Sequence, residues 1–341
     1  MHISLKLLYW DIFRMENLTL TTSSSSDEGY SRLAILLRMY YEPVLCVVSL
    51  IGSIAVLFGM TRVKNHFSSS VRYYYSVIAI AELTVVAGYY IVGDFLEIGI
   101  AYLVSDGAFY PILTYDATNW SCKLLNVLWM GPDFCVGFTY ICLGVERVIA
   151  VTWPFRAKTI LTLRNSILFE STVNLLILGS FLPLLCIDYT IDPQYGCWYD
   201  FSLPFTVFYI FLEETIPLVS SFTSLSISLY LVVKFVQLTL ARSHISTGGS
   251  ISARELSNIA TLMVFDMANL IVYVPDGVIY FIYAIVVANP SAFSDDFNFT
   301  IYQLADVCDR FTLIPHALTF FIHFSRSRSF RRAFGLKWYS V

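Results

Sequence analysis

Long apolar stretches, interrupted by only a few charges, dominate the chain. A helix that crosses a bilayer of about 30 Å needs about 20 mainly apolar residues, and seven stretches of that kind lie between successive charged positions. The pattern therefore predicts an all-α integral membrane protein, a seven-transmembrane helix bundle. The predicted spans are about 39–61, 72–95, 122–150, 165–187, 202–236, 256–288 and 299–324. The last is the least apolar, because it contains Asp306, Asp309 and Arg310.

The flanking segments are polar and divide the chain into three parts. Residues 1–38, which include a Thr/Ser run at 19–26, are predicted to be a flexible extracellular tail. Residues 39–324 form the bundle, and residues 325–341 form a cytoplasmic amphipathic helix and tail. No internal repeat is visible, which weighs against transporter folds built from duplicated halves.

Composition excludes most soluble classes of protein. The 341 residues are 57% hydrophobic and only 13% charged, with a mean hydropathy of +0.67, whereas a soluble domain has about 25% charged residues. Acidic residues outnumber basic ones by 25 to 21, so no polycationic surface for nucleic acid is expected. Membrane lipid is the predicted surrounding, and nucleic acid is not a predicted partner.

Two patterns agree on the orientation in the membrane. Of the 21 Lys and Arg residues, 15 lie in the segments after the first, third, fifth and seventh spans, and the three loops opposite contain none. The positive-inside rule then places the N-terminus outside the cell and the C-terminus in the cytoplasm of a plasma-membrane protein. The glycosylation triplets begin at Asn17, Asn119 and Asn298, all in segments predicted to be extracellular.

Two of the seven cysteines fall in predicted extracellular positions. Cys122 stands at the outer end of the third span and Cys197 lies in the outer loop 188–200. Because that side is oxidising, we predict a Cys122–Cys197 disulfide, with two free thiols as the alternative. The other five cysteines lie in apolar stretches, where a thiol is most often a small buried hydrophobe.

A motif at the cytoplasmic end of the third span carries a family resemblance. Glu146-Arg147 is followed by Val148 and, seven residues after the arginine, by Pro154. This resembles the end of the third helix in rhodopsin-like G-protein-coupled receptors, where an acid, an arginine and usually a tyrosine precede a proline at the same spacing. Val148 replaces the tyrosine here.

Further landmarks extend the resemblance over about residues 43–334. Glu82 matches the acid of the second helix, and Pro217, Pro275 and Pro315 match the prolines of helices five, six and seven. Residues 328–334 resemble the short amphipathic eighth helix. The chain departs from the family around Pro315, where two of the three signature residues are absent, and its departures are similar to those of nematode chemosensory serpentine receptors.

The resemblance implies a receptor that transmits the binding of an extracellular ligand, a small chemosensory molecule, to a heterotrimeric G protein. A neuropeptide-type receptor is an alternative within the class, and a seven-span ligand-gated channel or transporter is the alternative outside it. No catalytic constellation is present, so an enzyme is not predicted. The five histidines do not cluster as metal ligands, and neither a cofactor nor a metal is predicted.

Charged residues inside the spans are the candidate functional groups, because such groups are costly in a bilayer. By the resemblance, Glu146, Arg147 and Glu255 form an activation switch in which Arg147 bridges to Glu255 at rest. The alternative is an interfacial ion pair with no switching role. Glu82 and Arg310 are predicted to form a core polar pair, with Asp306, one turn before Arg310, as a competing partner.

A ligand pocket is predicted in the outer half of the bundle. Its candidate residues are Trp129, Asp133, Glu213, Tyr273 and Asp306. Together they would form an acidic, aromatic cavity suited to a cationic or hydrogen-bond-donating ligand. The alternative is that Asp133 is protonated and bonded to a neighbouring helix.

Overall fold

The computed structural model describes residues 32–62, 68–99, 119–186, 189–192, 196–199, 204–244, 253–288, 292–326 and 328–335. Helix α1 (Arg32–Leu36) continues through a π-helical turn at Leu37–Tyr41 into α2 (Glu42–Arg62). Helix α3 (Ser69–Val85) continues into a π-helical segment at Val86–Gly99. They are followed by α4 (Asn119–Thr152), α5 (Pro154–Ile160) and α6 (Leu163–Phe181), which ends in a 3-10 turn at Leu182–Cys186.

A short hairpin and the remaining helices complete the described part of the chain. Strands β1 (Tyr189–Asp192) and β2 (Gly196–Tyr199) pair antiparallel, with Ile191 opposite Cys197. The long helices α7 (Pro204–His244) and α8 (Ala253–Ala288) follow. Helix α9 (Asp295–Asp309) is joined by a 3-10 turn at Arg310–Thr312 to α10 (Leu313–Arg326), and α11 (Arg328–Ala333) is the last element.

Five of the described helices are long and apolar enough to cross a membrane. They are Leu37–Arg62, Ser69–Val92, Met130–Thr152, Thr215–Gln237 and Met263–Val286. Each overlaps one of the predicted spans. The described residues thus form an almost entirely helical, multi-pass membrane protein, and this coarser prediction is confirmed.

The two other predicted spans coincide with α6 and with α9 and α10, which are not both long and apolar enough to count among these five helices. Helix α6 carries Arg164, Glu170 and Asn174 among its apolar residues, which lowers its mean hydropathy. The last predicted span is divided between α9 and α10. Pro315 explains the break, because a proline lacks the N–H for an i→i−4 bond and its ring clashes with the preceding turn; the chain is wound as a 3-10 turn at Arg310–Thr312.

Pairs of contacts at constant sequence separation define which helices run parallel. Arg38 bonds to Asp306 and Arg310 bonds to Glu42, both across 268 residues. Gly52 faces Phe320 at the same separation. The first helical segment and the α9–α10 segment therefore run in the same direction in a fixed register.

A second parallel pair lies in the middle of the bundle. Gly137 and Gly144 of α4 face Ser220 and Ile227 of α7, and both contacts span 83 residues. A Cβ on Gly144 would lie 2.8 Å from Ile227 Cγ2, so this close approach requires glycine. Helix α6 runs antiparallel to α4, because Ser166 contacts Glu146 while Glu170 contacts the earlier Thr139.

The apolar core is concentrated at the end of the bundle where α11 docks. Its fully buried side chains include Tyr74, Ile78, Leu143 and Phe330. Phe330 lies against Gly59, where an added Cβ would approach the ring to 2.3 Å. The Arg331 guanidinium donates to the backbone oxygens of two residues near the end of α10, at 2.7 and 2.6 Å, which satisfies otherwise unbonded helix-terminal carbonyls.

The first helix begins earlier than the predicted end of the polar tail. Residue 38 was assigned to that tail, but the helix starts at Arg32 and Arg38 is buried. The physical reason is the ion pair between Arg38 and Asp306, which allows a guanidinium to leave water.

Candidate functional site

A small cavity lies among five helices, and we call it the central cavity. Its internal volume of about 30 Å³ has room for roughly two water molecules. Polar groups reach it from α3, α4, α7, α8 and α10. They are Glu82, Asp133, Ser220, Ser221, Ser224, Asn269, Tyr273, His316 and Thr319.

Glu82 is held at one end of the central cavity by two hydroxyl donors. Ser53 donates to its Oε2 at 2.9 Å and Thr319 donates to its Oε1 at 2.5 Å. The carboxyl group is 1% exposed. These two bonds connect α3 to both α2 and α10, so Glu82 joins three helices without an ion pair.

Asp133 lies at the other end of the central cavity, between Tyr273 and His316. The Tyr273 hydroxyl donates to Asp133 Oδ1 at 3.4 Å. His316 Nε2 is 3.2 Å from the same oxygen, at the distance of an ion pair although not in the direction of a hydrogen bond. The structure thus brings together two predicted pocket residues, Asp133 and Tyr273. Asp133 contacts two neighbouring helices, as the alternative interpretation expects, and the protonation that this alternative also assumes stays a prediction.

A second group of buried charges lies between the first and last helical segments, and we call it the arginine–carboxylate cluster. It consists of Arg38, Glu42, Asp306, Asp309 and Arg310. Arg38 is paired with Asp306 at 2.7 Å, and Arg310 with Glu42 at 3.0 Å. Arg310 also contacts Asp309 directly and Asp306 at 3.7 Å.

The predicted core pair of Glu82 and Arg310 is wrong. Arg310 is paired within the arginine–carboxylate cluster, and Glu82 accepts only from hydroxyls. The reason is the register of the helices, which places Glu42 rather than Glu82 opposite the guanidinium. Asp306, predicted to line the ligand pocket, instead binds Arg38 and is absent from the lining of the central cavity.

Glu146 is buried at the opposite end of α4 and is bound by serines. Ser70 donates to its Oε1 at 2.7 Å and Ser166 donates to its Oε2 at 3.3 Å. Among the described side chains, none pairs with the neighbouring Arg147. The side chain of Glu255 lies outside the described residues, so the bridge from Arg147 to Glu255 stays a prediction.

Two buried acids not singled out as sites also hold helices together. Glu170 of α6 accepts from the Tyr73 hydroxyl at 2.6 Å and is contacted by Thr139 of α4. Asp266 of α8 accepts from Ser224 of α7 at 2.5 Å and is also bonded by Ser228. Both acids stand in apolar stretches, so their burial was visible in the sequence, but the hydroxyl partners depend on helix register.

Several predicted residues lie outside the described side chains. They are Trp129, Glu213, Cys122, Cys197, Asn17 and Asn119. None of the five cysteines whose side chains are described forms a disulfide, and the Cys122–Cys197 bond stays a prediction. Asn298 is described, and it lies half-buried in the first turns of α9.

The described residues contain no group of three or more His, Cys, Asp or Glu side chains arranged to hold a metal ion. Comparison with protein-family models and with curated proteins found no match to this chain.

Proposed function

We propose that this chain is a divergent rhodopsin-like receptor of the plasma membrane, with its N-terminus outside the cell. In this proposal, a small extracellular ligand biases the helix bundle, and the cytoplasmic ends of the helices transmit the change to a heterotrimeric G protein. The short helix α11 serves as the eighth helix at the membrane surface.

The helix directions support seven crossings. Because the first and last helical segments run parallel, an odd number of crossings lies between them. Because α4 and α7 also run parallel, the chain must return across the membrane between them, and α6 runs in the required direction. Its side chains Leu175 and Leu176 are 69% and 70% exposed, as expected for contact with lipid.

The observation that carries the proposal is the central cavity, on which five helices converge. A ligand that changes the packing at this point acts on all five helices together. Asp133 in its wall is 14 residues from Arg147 on the same helix, about 21 Å along the axis. Helix α4 therefore provides a rigid connection from the cavity to the predicted G-protein contact.

A population shift is the simplest mechanism for transmission. In the resting bundle, Arg147 would be held by Glu255. A ligand with higher affinity for the open bundle would separate α4 from α8 at their cytoplasmic ends and release Arg147. The serines that bind Glu146 leave the Arg147 guanidinium available for such an exchange.

The proposal is tested by measuring basal nucleotide exchange on a panel of G proteins, at matched surface expression. We expect Glu255→Ala to raise exchange and Arg147→Ala to abolish it. Arg164→Ala is the matched control, because Arg164 is an exposed cation at the start of α6 and should leave exchange unchanged.

The receptor proposal would be contradicted if the wild type and all the variants reached the cell surface normally but stimulated no nucleotide exchange on any G protein. Membrane conductance would then be recorded for the same variants. A current carried by the wild type would support the alternative of a seven-span channel.

A further inference from the structure

His316 is a buried polar group whose surroundings the proposed function does not use. The residue is 3% exposed, and neither ring nitrogen has a hydrogen-bond partner among the described residues. The ring lines the central cavity, whose volume admits water. A buried imidazole with two unbonded nitrogens, facing a water-sized space, needs an explanation.

Acidic groups face this ring from two different helices. Asp133 of α4 has an oxygen 3.2 Å from His316 Nε2, and Glu82 of α3 interacts electrostatically with the ring across the cavity. Two carboxyl groups therefore face the ring, and no Lys or Arg is among the described residues that line the cavity. A proton on the ring would place a positive charge beside the Asp133 oxygen.

The remaining elements around the ring supply neutral groups. Helix α8 contributes the Tyr273 hydroxyl, which is already bonded to Asp133. The π-helical segment after α3 contributes Tyr90, whose ring centroid is 6.5 Å from that of His316 and whose hydroxyl bonds to Thr312. Helix α7 contributes serines.

Further ionisable groups lie one step away from the cavity. Asp276 of α8 interacts electrostatically with Asp133, and also with Asp309 and Arg310 of the arginine–carboxylate cluster. Its Oδ1 has no hydrogen-bond partner among the described residues. Asp276 therefore places a further carboxyl group beyond Asp133.

Hydrogen-bonding capacity distinguishes the two forms of His316. Neutral imidazole has one N–H donor and one acceptor, whereas imidazolium has two donors. Asp133 has an oxygen 3.2 Å from Nε2, and the cavity that the ring lines has room for water. The neutral ring can donate at one nitrogen only, whereas the protonated ring can donate both to a carboxylate and to a water.

A second buried histidine on the same helix provides a natural control. His323 is 2% exposed, and aromatic rings of Tyr75, Phe265 and Phe330 surround it, the closest with its centroid 4.3 Å away. Its Nε2 also lacks a hydrogen-bond partner among the described residues. The two histidines thus share a helix and a degree of burial, but only His316 faces carboxylates.

We infer that the central cavity is a proton-binding site in which His316 takes up a proton and holds α10 to α4 through Asp133. The proton comes from water and no other bond is broken. The packing of α10 then depends on pH, whatever ligand or G protein the receptor uses, so this inference goes beyond the proposed function and can be tested without it.

The direct test is NMR of the full-length protein in lipid nanodiscs, with isotope-labelled histidine, from about pH 8 to about pH 5. The chain has five histidines, and the two buried signals are assigned as those missing from His316→Gln and His323→Gln. We expect the His316 signal to move to imidazolium shifts in this range, while His323 stays neutral. A His316 signal that stays neutral throughout would overturn the inference.

The functional test is the thermal unfolding temperature over the same pH range. We expect the unfolding temperature to be higher at about pH 5 than at about pH 8 in the wild type and in His323→Gln, because the protonated ring holds α10 to α4. This difference should disappear in His316→Gln and in Asp133→Asn. The competing assignment is that the proton resides on Glu82, and Glu82→Gln tests it. If Glu82→Gln is the one variant that removes the pH dependence, the inference about His316 is wrong. Should His316→Gln fail to fold, the His316 signal of the wild type is assigned by labelling the Pro315-His316 dipeptide, which occurs once in the chain.

Discussion

The arginine–carboxylate cluster and the central cavity neutralise buried acids in different ways. In the cluster, each arginine is bonded directly to a carboxylate of the facing helix. In the cavity, Glu82 accepts from two hydroxyls and Asp133 from a tyrosine, with an imidazole as the only nearby basic group among the described residues. The first arrangement depends on ion pairs between fixed charges, whereas the second depends on hydroxyl groups that can rotate and on an imidazole that we infer takes up a proton.

This difference separates a structural region from an adjustable one. Breaking an ion pair in the cluster leaves an uncompensated charge in the buried interior, so few alternative arrangements of these side chains are accessible. Hydroxyl donors can be exchanged for water at small cost. We therefore expect the cluster to fix the first helix against the last and the cavity to change during function.

The largest effect should come from Arg310→Met. This change removes the guanidinium that contacts Glu42 and Asp309, and breaking a buried pair costs about 3–5 kcal/mol. The measurement is the free energy of unfolding in mixed micelles. Arg164→Met, which removes an exposed cation, is the control and should have little effect. Equal losses in the two variants would show that the cluster does not stabilise the bundle.

Thr319→Val should have the next largest effect. The change removes one donor to the Glu82 carboxyl group, a bond for which about 1.5–3 kcal/mol is typical. Because Ser53 still donates to Glu82, we expect a value below that of Arg310→Met in the same unfolding assay. A loss as large as that of Arg310→Met would contradict the distinction between the two regions.

A double-mutant cycle tests the register of the cluster itself. Arg38→Met, Asp306→Asn and the combined variant should show a coupling of at least about 0.5 kcal/mol, because the two side chains are bonded. A second cycle pairs Arg38→Met with Thr319→Val and should be additive, because Arg38 is bonded to Asp306 whereas Thr319 is bonded to Glu82. Additivity in the first cycle would argue against the parallel register.

The smallest effect concerns the packing beside the cavity. Gly179→Ala, in a helix position with open space, should stabilise the protein by about 0.4–1 kcal/mol through the unfolded chain. Gly137→Ala should gain less, because its Cβ would lie 3.0 Å from Ser220 Oγ. Equal gains in the unfolding assay would show that the cavity wall is looser than the contact suggests.

Hydropathy was sufficient to predict where the five long apolar helices lie, because it is a local property of the chain. The five long apolar helices all overlap predicted spans. The partners of the charged residues were harder to predict from the sequence, because they depend on how helices that are far apart in sequence align. Arg310 was assigned to Glu82 because the family pattern pointed to the second helix, whereas the register brings Glu42 opposite it.

A usable signal for the cluster was nevertheless present in the sequence. Arg38 and Glu42 are four residues apart, and so are Asp306 and Arg310, with the charges in the opposite order. Two parallel helices can satisfy both pairs at once. His316 gave no comparable signal, because a single histidine in an apolar stretch is ambiguous until its neighbours are known.

The pairing across 268 residues has a consequence for biogenesis. Arg38 and Glu42 are synthesised with the first helix, but their partners emerge only when the last helix leaves the ribosome. During this interval the first helix carries charges that are costly in the bilayer and that chaperones or the insertion machinery must shield. A chain truncated before Asp306 would lack both partners from the last helix, so we expect premature stops before this position to trigger early quality control.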